Sequence, residues 1–376
     1  PKGVEFARPD QRRLAVDQQR MAVERDAQGL GGGGLISLAQ TIIADVVATR
    51  ERGRYQVYIA GVFMLSSLTG PLLGGLLTQY LHWSFIFWIN LPLGLAAYLM
   101  TDRKLRRLPS HGRPHDLDIA GSVLMIGMSV SLMLALSWGG TRYAWNSPVI
   151  LGLLASSALL LTGLVLRLRH AREPLIPISV LSNKIVFHGT ISVCFSMSVL
   201  IGLIIFLPIY FEIVLGFDSD RAGMALVPLV VGTTVGAGIA SQIMGRSPRY
   251  KRPGMMGLAI SMIAALLLFA FAQQMHFILL EIILASLSMG LGAMLPVTTT
   301  ALQNAVPRHE MGTTMALLNF LRQLGSAFAV ACFGTILISL SGAARGSAHE
   351  ILLRATAQNT EGLARGFTWL FLLTAL

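Results

Sequence analysis

Gly61-Val-Phe-Met-Leu-Ser66-Ser-Leu-Thr-Gly70-Pro71-Leu-Leu-Gly74-Gly75 lies inside an apolar run, residues 55–77, that carries no charged side chain. One helix of about 20 such residues crosses a hydrocarbon core about 30 Å thick. Ser66, Gly70 and Gly74 recur every fourth residue and share one helix face, where a neighbouring backbone can come close. Pro71 removes one backbone hydrogen bond and bends the helix, which a span tolerates when neighbours satisfy the freed carbonyl. Taken alone, the face fits ordinary helix packing as well as a sliding contact.

The same pattern extends in both directions. Apolar runs fall at about 27–48, 55–77, 83–101, 118–138, 148–168, 186–211, 222–244, 254–272, 276–300 and 313–340, so we expect ten spans. An eleventh run, Gly366 to Leu376, covers only about half a bilayer at about 1.5 Å per residue, and is expected to be an incomplete last span. The fold expected is all-α, a polytopic transmembrane helix bundle. Only 12% of residues are charged, about half the share of a soluble domain.

Short loops alternate in charge. Loops 50–54, 102–118, 167–184, 245–252 and 303–312 hold 17 Lys and Arg residues, and the loops between them hold 5. Basic short loops stay cytoplasmic, which puts residues 1–28, with six basic residues, on the outer face. Missing upstream spans, odd in number, would remove that conflict. The net charge of +11 does not imply a nucleic-acid partner, because no aromatic residues interleave the basic ones as a base-stacking platform needs.

Several chemical signatures dissolve in context. Cys194 and Cys332 lie in apolar runs, where thiols behave as small hydrophobes. The GxGxxG from Gly29 to Gly34 has no preceding strand, so it reads as a helix-packing face and not a dinucleotide site. His111, His115 and Asp116 sit in a Pro/Gly-containing basic loop without further ligands, and His309-Glu310 lacks the second histidine of a zinc protease. With no nucleophile and base at motif spacing, no catalytic residue, metal or cofactor is assigned, and no enzyme is expected.

The residues from Gly61 to Gly75 resemble the antiporter motif of the major facilitator superfamily, with Gly61, Gly70, Pro71, Gly74 and Gly75 in place and Ser66 in a slot that is usually glycine. His82-Trp83-Ser-Phe-Ile-Phe-Trp-Ile-Asn90-Leu-Pro92-Leu-Gly94 is similar to a signature of that superfamily's fourteen-span drug:proton antiporter branch, the multidrug efflux permeases. Arg25-Asp-Ala-Gln28-Gly29 resembles the family's proton-linked Arg-x-x-Gln-Gly motif, and Asn319-Phe-Leu-Arg322-Gln323-Leu-Gly325 resembles its carboxyl-terminal part.

The resemblance implies a chain whose spans match the fourth to fourteenth of that branch. Residues 1–28 would be an atypical polar tail, 29–101 a remnant of the N-terminal bundle, 102–117 a basic cytoplasmic loop, 118–168 a central extra helix pair, and 186–376 the C-terminal bundle. It implies proton-driven efflux of drugs or other amphipathic compounds by alternating access, in a bacterial inner membrane. The partners would be the lipid bilayer, small amphipathic substrates, and a periplasmic adaptor with an outer-membrane channel. The alternative is a truncated remnant that assembles in the membrane without transporting.

Candidate residues on a proton or substrate path are Arg25, Gln28, Glu212, Asn319, Arg322 and Gln323. Arg322 stands about ten residues into its span, where an arginine costs at least about 2.5 kcal/mol unless it meets protein, water or a counter-ion. Glu212, at the outer end of its span, could hold a proton or attract a cation but reads better as an interfacial carboxylate in water; Glu281, five residues beyond His276, is expected to pair with a neighbour or reach the outer interface. Asp45, near Arg50 and Arg52, reads as a helix-end ion pair.

Overall fold

A computed structural model of the chain describes residues 32–47, 118–140, 142–171, 173–246, 251–271, 276–341 and 360–375, with a discontinuous part of 51–105. The described helices are α1 (Leu35–Val46), α2 (Phe85–Trp88), α3 (Asn90–Leu105), α4 (Ile119–Trp138), α5 (Pro148–His170), α6 (Ile178–Ser182) and α7 (Lys184–Ile209). After these come α8 (Ser219–Met224), α9 (Val227–Arg246), α10 (Lys251–Phe271), α11 (Phe277–Ala305), α12 (Met311–Ser341) and α13 (Thr360–Ala375).

Among the described residues, seven helical segments are long and apolar enough to cross a membrane, from Ile119–Trp138 through Arg308–Leu337. The expected spans from 118 onward match them to within a few residues. Upstream, the match is looser. The span expected at 27–48 is described only as the 12 residues of α1, and described residues between Tyr55 and Tyr80 are helical. The span expected at 83–101 is broken at Ile89 into α2 and α3. Pro92 stands in the first turn of α3, where its missing N–H would have had no intrahelical partner. The last run is longer than expected, because polar residues from Thr360 extend the helix ahead of Gly366.

The chain divides into two units, one of residues 1–42 and 65–114, the other of residues 43–64 and 115–376. Within the first unit, Leu91, Leu93, Leu95 and Tyr98 of α3 are exposed.

In the second unit, α4 and α5 form a hairpin. Asp118 caps α4 by accepting a hydrogen bond from the Gly121 N–H at 3.0 Å, and Ser147 caps α5 ahead of Pro148 at 3.3 Å. The turn between them uses Gly140, at φ +76°, a conformation that only glycine enters freely. Arg142 lies 5.5 Å from the Trp138 ring centroid, an aromatic and cationic cluster of the kind that settles at a membrane interface. Midway along the hairpin, the Ser157 hydroxyl donates to the Met128 carbonyl at 3.1 Å.

Helices α7, α9 and α10 pack against α11, α12 packs chiefly on α7, and α13 packs on α10 and α12. An apolar cluster of Leu203, Phe206, Tyr210, Phe211, Leu284 and Phe371 fills one half. A second cluster, with Val186, Leu302, Met315 and Leu318, fills the other and reaches α4 and α5 through Met128 and Leu164. Large apolar side chains also point outward, among them Ile126 of α4, Leu159 of α5 and Ile263 of α10. Such a surface suits hydrocarbon as its solvent.

Candidate transport site

Described residues of four basic loops meet at one end of the second unit. Arg167 Nε donates to Asp118 Oδ1 at 3.1 Å, Ser179 to Glu310 Oε1 at 2.5 Å, and the Asn183 amide to the Ala305 carbonyl at 3.1 Å. Arg52 is 4% exposed and donates to the carbonyls of Ala44 and Gln303 at 2.6 Å each. It also reaches Asn304 Oδ1 at 3.1 Å. One guanidinium thus caps the carboxyl ends of α1 and α11, where orphan carbonyls and the helix dipole favour a cation. The sequence reading counted Arg52 in a basic turn and set it near Asp45 at a helix end, and did not anticipate these carbonyl contacts. The Asp45 side chain lies outside the described residues.

Further along the bundle, α4, α7 and α12 leave a pocket of about 480 Å³, within the size range of small-molecule sites. Its floor is one face of α12, where Gln323, Ala327, Val330 and Gly334 recur at helical spacing. Ala327, Ala331 and Gly334 are too small to fill the groove. Met133 and Leu136 of α4 and Ile205 and Phe206 of α7 supply apolar walls, while Ser137, Gln323, Ser326 and Thr335 give the few polar groups. Thr335 is held by its neighbours, accepting from Trp145 Nε1 at 3.2 Å and donating to the Ala331 carbonyl at 2.8 Å.

Of the residues assigned to a path from the sequence, Gln323 lines this pocket. Asn319 stands one turn earlier on α12 and donates to its own helix, at the Met315 carbonyl, at 3.0 Å. Arg322 is partly buried on the same helix. Glu212 is elsewhere, partly exposed in the π turn Tyr210–Val214 that ends α7. Arg25 and Gln28 lie outside the described residues.

Of the antiporter-motif residues, Gly61, Ser66 and Gly70 are helical, and a methyl group added at Gly61 or Gly70 would meet nothing within 4 Å. Pro71, Gly74, Gly75 and Trp83 lie outside the described residues; Asn90, Pro92 and Gly94 are exposed on α3. His111, His115 and Asp116 also fall outside.

Among the described glycines, close backbone contact occurs where α9, α10 and α11 cross. A methyl group at Gly236 of α9 would strike the Met289 carbonyl of α11, and one at Gly292 of α11 would strike that of Thr233 of α9. Across α11, a methyl group on Gly257 of α10 would come within 2.7 Å of the Gly290 carbonyl. Central α11 is thus gripped on two sides through glycine, as helices without large side chains at their crossing can be. Gly232 and Gly236 at a four-residue spacing were the available signal.

Residues 21–330 match the family model of the Major Facilitator Superfamily. The chain belongs to the Major Facilitator Superfamily. Its similar relatives include an uncharacterised transporter of this superfamily from Mycobacterium tuberculosis, 31% identical over 89% of this chain and 49% of the relative. A multidrug transporter of Bacillus subtilis is 29% identical over 88% of this chain and 60% of its own length. A Dothistroma septosporum efflux pump is 29% identical over 84% of this chain and 56% of its own length. The chain thus spans about half to three-fifths of the curated relatives it matches. It is a multi-pass membrane protein of a transporter superfamily, with multidrug and efflux proteins among its relatives.

Proposed function

We propose that this chain exports amphipathic organic compounds by proton-coupled antiport, as a member of the fourteen-span drug:proton branch. The pocket bounded by α4, α7 and α12 carries the reading. An apolar trough with four polar groups recognises compounds by shape and apolarity through many weak contacts, which suits a broad range of substrates. Multidrug and efflux relatives point the same way. The glycine-lined crossings of α11 allow helices to shift without separating large side chains, as rocking between inward-open and outward-open forms requires.

The proton gradient is the proposed energy source, with Arg322 and Glu212 as candidate path residues and a bacterial inner membrane as the setting. Expression in cells deleted for their own efflux pumps tests this. Dye accumulation should fall severalfold against empty-vector cells and return to the control level when a protonophore collapses the gradient. Ala327→Phe should abolish the difference, because its ring fills the trough. Accumulation equal to the empty-vector control would reject transport by this chain.

A further inference from the structure

A second pocket, of about 410 Å³, lies at the end of the second unit opposite the basic loops. Phe217, Arg221, Met224, Pro228, Phe277 and Glu281 line it. Local backbone geometry builds one wall. The π turn after Pro208 closes with Leu215 N–H on the Tyr210 carbonyl at 3.3 Å, and Gly216 at φ +70° reverses the chain. Phe217 is thereby laid against Phe277, with ring centroids 5.0 Å apart and planes at 72°.

Glu281, in the second turn of α11, is 9% exposed, and both its carboxylate oxygens are buried without a hydrogen-bond partner. A buried carboxyl without water or donors either keeps its proton or is ionised with a cation beside it. Arg221 lines the same pocket but is exposed, so its head group remains in water while its stem covers apolar surface. The segment 210–224 that carries Phe217 and Arg221 also holds Glu212, Asp218 and Asp220, an acidic stretch in a chain of net charge +11.

We infer that this pocket binds an organic cation, with its charge against Glu281 and its apolar body on Phe217 and Phe277. Aromatic faces attract such cations, quaternary ammonium groups among them. A calcium or magnesium ion fits poorly, because either takes about six or more oxygen ligands and the lining supplies one carboxylate beside one arginine and apolar groups. The inference deepens the efflux reading by adding a subsite for cationic substrates, and its test is independent of transport.

Binding of tetraphenylphosphonium to the purified chain in lipid nanodiscs, measured by equilibrium dialysis, should weaken at least tenfold in Glu281→Gln. Met224→Trp should weaken it similarly, because Met224 is exposed at the pocket and a larger ring there obstructs entry without entering the core. In the unmutated chain, tetraphenylphosphonium should slow modification of Glu281 by dicyclohexylcarbodiimide at least fivefold, read by peptide mass spectrometry. Affinities within twofold of the unmutated chain in both variants, or an unchanged modification rate, would overturn the inference. Glu281-dependent binding in a chain that lowers no dye accumulation would leave the subsite standing and remove the efflux reading.

Discussion

Asp118 joins two helix ends through a single carboxylate. It accepts from the Gly121 N–H at 3.0 Å and from Arg167 Nε at 3.1 Å. These contacts, the backbone one first, hold its carboxyl below the ordinary aspartate range against the opposing effect of burial. The folded state therefore binds this proton less readily than the unfolded chain. The resulting stability is fully present above the unfolded pKa of about 3.9 and is lost as pH falls through the lower folded value. Asp118→Asn should lower the melting temperature in detergent at pH 7, by an amount reflecting a cap worth about 1 kcal/mol. The gap from the unmutated chain should narrow below about pH 4; a gap constant from pH 7 to pH 3 would show that the carboxylate charge contributes nothing. Gly121 has its own part in this arrangement, since a methyl group there would collide with the Asp118 carboxylate. At this scale the sequence is only partly legible. An acid before an apolar run signals a cap, but nothing in the local sequence pairs Asp118 with Arg167, or carries Arg52 to a carbonyl 251 residues away.

Among the elements, glycine has two distinct meanings. Gly236 and Gly238 stand two residues apart on α9; a methyl group at Gly236 would overlap the Met289 carbonyl, while one at Gly238 would meet nothing within 4 Å. Gly236→Ala should therefore push α9 from α11 at a cost of about 1–3 kcal/mol, seen as a lower melting temperature in detergent. Gly238→Ala should be neutral or slightly stabilising, since alanine is the better helix former by up to about 1 kcal/mol. Equal effects at the two positions would mean that the crossing is not tightly packed. The contrast explains what patterning reveals. Spacings of four identify helices and small-residue faces, as at Ser66, Gly70 and Gly74, but the partner depends on tertiary structure. Span limits were legible because lipid demands long uncharged runs. The pocket above α12 was not, since it arises from small residues on α12 facing larger ones on two other helices. Gln323 was found through family resemblance, whereas Glu281 was noticed only as an acid near a span end.

Over the larger of the two units, charge and contact converge on one orientation. The basic loops around Arg52, Arg167, Asn183 and Glu310 are tied together at one end of the second unit by hydrogen bonds and an ion pair. The Trp138–Trp145 turn joins Thr335 at a distance from them. Lys and Arg in short loops resist translocation, so the end of the second unit that holds Arg52, Arg167 and Arg308 should face the cytoplasm and the α4–α5 turn the exterior. Single cysteines test this in the full chain once Cys194 and Cys332, both partly buried, are replaced by serine. Asn146→Cys, in the α4–α5 turn, should react at least tenfold faster with a membrane-impermeant maleimide in intact cells than Glu173→Cys, after α5. Permeabilising the cells should bring the two rates together. Faster labelling at residue 173 in intact cells would invert the assembly and place the Glu281 pocket on the cytoplasmic side, where it would receive exported cations at entry.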